Sequence, residues 1–110
     1  VNALWDTGST ESLISEKIVK MIEPILKNKS KYVTRDVVIE CETYAVSLSL
    51  SDEITFRDVL MKKADLSDKN VDIIIGMDII SRGDFEIRNY NNLVEFAFRI
   101  PPRNEPISLQ

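Results

Sequence analysis

The 110-residue chain has no histidine and only one cysteine, Cys41. Those two scarcities exclude an intrachain disulfide, Ser-His and Cys-His nucleophilic mechanisms, and the usual His-containing or Cys-rich zinc sites. Cys41 lies between Glu40 and Glu42, whose charges should raise its pKa, so it reads as a small apolar strand residue and not as a reactive thiolate. Glycine is scarce too: Gly8, Gly76 and Gly83 are the whole supply. No stretch reaches the ~18–20 apolar residues of a membrane span, and a net charge of −4 leaves no basic footprint for nucleic acid. No signal peptide or charged tail is visible, which slightly favours the cytoplasm but leaves the compartment open; the chain starts inside a strand, which leaves room for residues upstream. If the chain is an enzyme, carboxylates are the main candidates for its acid–base chemistry, with no metal or cofactor implied.

What is present is ordinary for a globular domain, 44% hydrophobic and 29% charged, and long enough to bury one core without staples. The patterning predicts one domain over residues 1–102 and a tail over 103–110. Val1 to Trp5 reads as a strand. Glu11 to Ile14 returns to the core, and Ser15 is placed to N-cap a short helix over about 16–23, with Ile18, Ile22, Ile25 and Leu26 at helical spacing and Pro24 ending it. Lys27 to Lys31 reads as a solvated loop. Tyr32 to Leu50 reads as strand, with a one-residue change of parity that implies a turn or bulge near Glu42-Thr43. Ile54 to Met61 extends a meander of hairpins, and Asp65 to Asn70 is a polar loop. Ile73 to Ile75 is a continuous apolar run ending at a glycine, as expected of a strand buried on both faces. Asp78 is placed to cap a short helix closed by Gly83 in the left-handed conformation. Phe85 to Arg88, a turn at Tyr90 to Asn92, and Leu93 to Ile100 follow, with Val94, Phe96, Phe98 and Ile100 on one face.

The stretch Leu4-Trp5-Asp6-Thr7-Gly8-Ser9-Thr10 carries the chemistry. An apolar strand delivers one carboxylate into a turn of small hydroxyl residues and a glycine. Gly8 permits dihedrals or a close approach that a side chain forbids, while Thr7, Ser9 and Thr10 supply hydroxyls and N–H groups able to hold a carboxylate in one orientation. Phosphorylating ATPases also place an aspartate near a threonine and a glycine, but with a lysine between; here Asp6 and Thr7 are adjacent. Sugar kinases and actin-like ATPases need two large lobes and several more glycine-rich loops. A solvated turn without chemistry is a further reading of these residues alone. The triplet Arg82-Gly83-Asp84 matches an integrin-binding signal by letters, yet Gly83 has a sufficient structural job.

The Asp6 turn, followed at the far end of the chain by Ile73-Ile74-Ile75-Gly76 and Met77 to Ser81, resembles the retropepsin family of single-domain aspartic proteases. The longer run from Ile74 to Phe85, with Phe98-Arg99-Ile100-Pro101 behind it, is similar to bacterial retropepsin-like proteins, and the likeness covers residues 1 to about 102. The resemblance implies a mostly β fold, a closed antiparallel β-barrel with one or two short helices. It implies an aspartic endopeptidase that acts as a symmetric homodimer on polypeptide, with no nucleic acid or membrane partner. Asp6 would be the catalytic aspartate, Thr7 the hydroxyl locking two active-site turns together and Gly8 the backbone donor, supported by Ser9, Thr10, Ile75, Gly76, Met77 and Asp78. One chain holds one such turn, because Asp78 stands between methionine and isoleucine. Two Asp6 carboxyls ~3 Å apart would share one proton, the charged one acting as base on water and the protonated one donating to the carbonyl oxygen. The substrate-covering flap falls at Arg35-Asp36 by register or at Glu42-Thr43 by the parity break, in either case without the family's usual glycine. Only five residues precede the turn, where the family carries a strand or two. A non-catalytic dimeric module that binds a peptide or protein in the cleft is the alternative.

Overall fold

A computed structural model describes residues 1–34 and 36–103. Along the chain run β1 (Ala3–Trp5), β2 (Leu13–Ser15), α1 (Glu16–Ile22), β3 (Ile25–Thr34), β4 (Val37–Ser49), β5 (Thr55–Ala64), a 3-10 turn at Ser67–Lys69, β6 (Ile73–Ile75), α2 (Met77–Ile80), β7 (Asp84–Tyr90) and β8 (Leu93–Arg99). The chain is thus mostly β with two short helices. The closed antiparallel barrel is not what the described residues form. One six-stranded sheet runs in the order β1-β6-β2-β5-β4-β3, and β7-β8 make a separate two-stranded sheet. The larger sheet is mixed, because β1 pairs parallel with β6 and β2 parallel with β5. Closure would require β1 to meet β3, and four strands separate these two edges.

The decisive feature of the topology is that β6 inserts between β1 and β2, which are consecutive in sequence. Ile75 lies beside Trp5, and Ile74 beside both Leu4 and Leu13. Ile73, Ile74 and Ile75 are all buried, which explains why this strand reads as an unbroken apolar run: a strand covered on both faces has no solvent side to alternate with. Ile14, Ile18, Tyr44, Val46, Phe56, Met61 and Ile79 join this strand in the core.

Helix α1 begins where the pattern predicts. The Ser15 hydroxyl accepts from the Ile18 N–H at 3.4 Å, and Glu23, at φ 48°, closes the helix ahead of Pro24. Its predicted apolar stripe holds only in part. Ile18 is buried, but Ile22, Ile25 and Leu26 are 51, 67 and 45% exposed, since the helix stops at Ile22 and the next two belong to β3.

Lys27 to Lys31 is strand, not the expected loop. Lys29 stands opposite Glu42 and Lys31 opposite Glu40, opposite-charge pairs that favour the ladder, and lysines suit a strand at the sheet edge. The parity break is real. Burial on β4 passes from Cys41 and Thr43 to Tyr44 and Val46 without a turn, so Glu42 and Thr43 lie in mid-strand. The irregularity sits in the neighbours: β3 carries an extra residue at Lys27 opposite this point, and β5 slips near Asp58, whose φ is 53°. The β3-β4 hairpin closes beyond the pair Thr34–Val37, with Asp36 at φ 63°; Arg35 lies outside the described residues.

Two further expectations are corrected near the C-terminus. Gly76, not Asp78, is the N-cap of α2. Gly83 is not left-handed, as no glycine here has positive φ; a Cβ there would instead overlap the Arg99 carbonyl oxygen, so the glycine lets the chain leaving α2 pass close to β8. The Arg82-Gly83-Asp84 triplet is not displayed as a free loop. Arg82 stacks 5.5 Å over the Phe56 ring, and Asp84 opens β7 and accepts from the Arg103 N–H at 2.9 Å.

Candidate active site

Strand β1 ends at Trp5, whose ring packs 5.4 Å from Phe85 and 5.2 Å from Phe98, centroid to centroid. With its entering strand anchored, the chain turns at Asp6, which is half-buried. The Asp6 N–H donates to the Ile75 carbonyl at 2.9 Å, and the Ser9 N–H closes the turn onto the Asp6 carbonyl at 3.2 Å. The Gly8 N–H donates to Asp6 Oδ1 at 2.9 Å, fixing the carboxylate by a charge-assisted bond. A Cβ on Gly8 would lie 3.2 Å from that same oxygen, so the absence of a side chain keeps the approach open.

The second apolar stretch locks onto this turn. The Met77 N–H donates to the Ser9 carbonyl at 2.8 Å. Gly76 passes so close to the turn that a Cβ would lie 2.6 Å from the Glu11 carbonyl oxygen. Ser12, fully buried, is the hub: its hydroxyl accepts from the Gly76 N–H at 3.0 Å and donates to Asp78 Oδ1 at 2.6 Å, while its N–H donates to Asp78 Oδ2 at 3.0 Å. Asp78 Oδ1 also accepts from the Ile79 N–H at 2.9 Å. Lys62 adds an ion pair to Glu11 at 2.6 Å.

Asp6, Gly8, Ile75, Gly76, Met77 and Asp78 are therefore brought together. Ser9 supports the loop and not the carboxylate, since its hydroxyl donates to the Glu11 carbonyl at 2.6 Å. Thr7 and Thr10 are exposed. Ser12 was not singled out in the sequence. Its one local sign is a hydroxyl two residues before the buried Ile14, on the same face of an extended segment. Asp36 ends its hairpin, whereas Glu42 and Thr43 belong to a different cluster. There the Tyr44 hydroxyl donates to the Glu42 carboxylate, which holds Glu42 below its usual range and pushes the Tyr44 phenol up. Beside them the Cys41 thiol is raised, mainly by burial, with Lys62 opposing and Glu11 and Glu42 adding. A groove of about 710 Å³ lined by Ser15, Lys17, Ile39, Lys63, Leu66 and Asp72, among others, contains none of residues 6–10. No cluster of metal-ligating side chains occurs among the described residues.

A strand-borne aspartate in an Asp-Thr-Gly turn, clamped to a glycine-ended apolar strand and a short helix, is the arrangement of an aspartic-protease-like domain. Comparison with protein families agrees: the description of the retroviral aspartyl protease family matches residues 1–99, and the chain belongs to that family. Neither the curated proteins nor the solved structures contain a match.

Proposed function

We propose that this chain is one half of an aspartic endopeptidase in which two copies each contribute one Asp6. The observation that carries the reading is the Asp6 carboxylate, aimed by the Gly8 N–H at 2.9 Å on a turn bonded to β6 and α2, in a chain of the retroviral aspartyl protease family. The chain holds one such turn, so a second copy supplies the other carboxyl. Two carboxyls in contact share one proton. The ionised Asp6 takes a proton from water as its oxygen attacks the peptide carbonyl carbon, and the protonated Asp6 gives its proton to the carbonyl oxygen. Collapse of the tetrahedral species then breaks the C–N bond, with a proton passing to the leaving amine. The exposure of Thr7 beside Asp6 supports a role for its hydroxyl in a bond across the two copies, and on this reading the hairpin end at Asp36 would cover an extended polypeptide.

Asp6→Asn tests this. The amide oxygen still accepts from Gly8, so the fold should persist by near-ultraviolet circular dichroism while cleavage of a mixed peptide library disappears. Equal cleavage by the variant would move the chemistry elsewhere. No cleavage by either form would favour a peptide-binding module.

A further inference from the structure

Strand β3 is one edge of the six-stranded sheet and pairs on one side only, with β4. An edge strand leaves a row of N–H and C=O groups open to a further strand. The other edge, β1, is 3 residues long, whereas β3 runs for 10. In a chain of net charge −4, β3 holds Lys27, Lys29 and Lys31 and no acidic residue. All three lysines are exposed, and none closes an ion pair among the described residues. Lys29 and Lys31 share one face, since side chains two apart on a strand point the same way. On that face Lys29 stands opposite Glu42, which is ion-paired in turn to Lys63 at 3.7 Å, and Lys31 stands opposite Glu40. Charge thus alternates in sign from strand to strand and ends, at the open edge, on positive. Lys29, Lys31, Lys63, Glu40 and Glu42, among others, line a recess of about 300 Å³ there.

We propose that the open edge of β3 at residues 27–31 binds an acidic segment of a protein partner, added as an antiparallel strand with carboxylates at alternate positions beside Lys29 and Lys31. The assignment does not depend on a shared Asp6 site. Main-chain hydrogen bonds to the unpaired edge hold the guest, and its alternate side chains decide which guest is held. Neighbouring strands lie ~4.8 Å apart, so guest carboxylates reach both ammonium groups. Each ammonium carries three donors and can serve a guest as well as Glu40 or Glu42. The guest extends the alternation of charge by one further strand. Edge lysines also block pairing between like edges. Two copies of β3 side by side would set lysine against lysine, which is destabilising, so the edge turns away its own copy and favours an acidic strand. The site lies short of the hairpin end at Asp36 and takes its partner in the plane of the sheet.

A fluorescent peptide in which Glu alternates with Val and Thr, titrated by anisotropy into the full chain carrying Asp6→Asn so that no cleavage intervenes, tests the assignment. Saturable binding is expected, and a peptide with Lys in place of Glu should not bind. Lys29→Gln with Lys31→Gln should raise the dissociation constant roughly fivefold or more, as two opposite-charge cross-strand pairs are lost. The substituted side chains are exposed, and the near-ultraviolet signal of Trp5 reports that the fold is kept. Two further peptides, N-methylated at every second amide in opposite phases, separate strand addition from general attraction between charges. The phase whose amides face β3 should lose binding with its carboxylates intact, and the other phase should keep it. Absence of saturable binding, binding indifferent to the two glutamines, or equal binding in both phases would each overturn the assignment and leave the Asp6 reading untouched.

Discussion

Removing the Ser12 hydroxyl should loosen the clamp between the Asp6 turn and α2, leaving the Met77 N–H to Ser9 and Ser12 N–H to Asp78 bonds in place. In Ser12→Ala the Gly76 N–H, buried, loses its acceptor, and Asp78 Oδ1 loses its 2.6 Å donor while keeping the Ile79 N–H. An orphaned buried donor costs ~1–3 kcal/mol, and a hydrogen bond to a charged group contributes ~1.5–3 kcal/mol. These losses share one atom and are not fully additive, so the expected destabilisation is about 2–4 kcal/mol. For a chain of this size that lowers Tm by roughly 8–16 °C. Urea unfolding followed by Trp5 fluorescence measures it, at two protein concentrations because association contributes to apparent stability. Asp78→Asn breaks the same clamp by presenting an amide donor to a donor, so the double variant should lose less than the two singles combined. A loss below about 0.5 kcal/mol in Ser12→Ala, or strictly additive single losses, would refute the claim that Ser12 is the hub.

Gly76→Ala should destabilise by about 1–3 kcal/mol or more, because its Cβ would meet the Glu11 carbonyl at 2.6 Å; an unchanged urea midpoint would show that the turn can retreat freely. Tyr44→Phe should flatten the stability–pH curve at both ends. Glu42 sits below its ordinary value, first through the Tyr44 hydroxyl, so between the lowered and ordinary values the folded chain binds fewer protons and stability is lost as pH falls through that window. Tyr44 is shifted upward by the same bond; its contribution is full below its ordinary value and lost as pH rises through the raised one. Acid and alkaline limbs that coincide in variant and wild type would remove the pair from the account. Thr7→Val should weaken dimerisation without unfolding the chain, as Thr7 is exposed in the single copy; an unaltered sedimentation profile would rule out a Thr7 bond across the two copies.

The Asp6-Thr7-Gly8 turn, the Ser15 cap and the buried run Ile73 to Ile75 were legible because each rests on local chemistry: a glycine beside a carboxylate, a hydroxyl before a helix, three isoleucines with no polar alternation. The parity change inside Tyr32 to Leu50 was legible too, although the accommodating bulges fall in β3 and β5, which a single strand's pattern cannot reveal. Lys27 to Lys31 was misread as a loop because its strand character comes from Glu40 and Glu42 on the neighbouring strand and from its place at the sheet edge, both of which lie outside the segment.

Local sequence alone determined that an aspartate would be presented on a tight turn and that β6 would be buried on both faces. Only the tertiary structure decided that β6 enters between β1 and β2, that Ser12 meets Asp78 across 66 positions, and that, among the described residues, the larger sheet keeps two open edges while β7-β8 form a sheet of their own. The physical reason is range. Capping, glycine geometry and hydrophobic period act within a few residues and leave a mark in the letters, whereas the partner of a strand edge or of a buried hydroxyl is chosen by the packing of the whole chain.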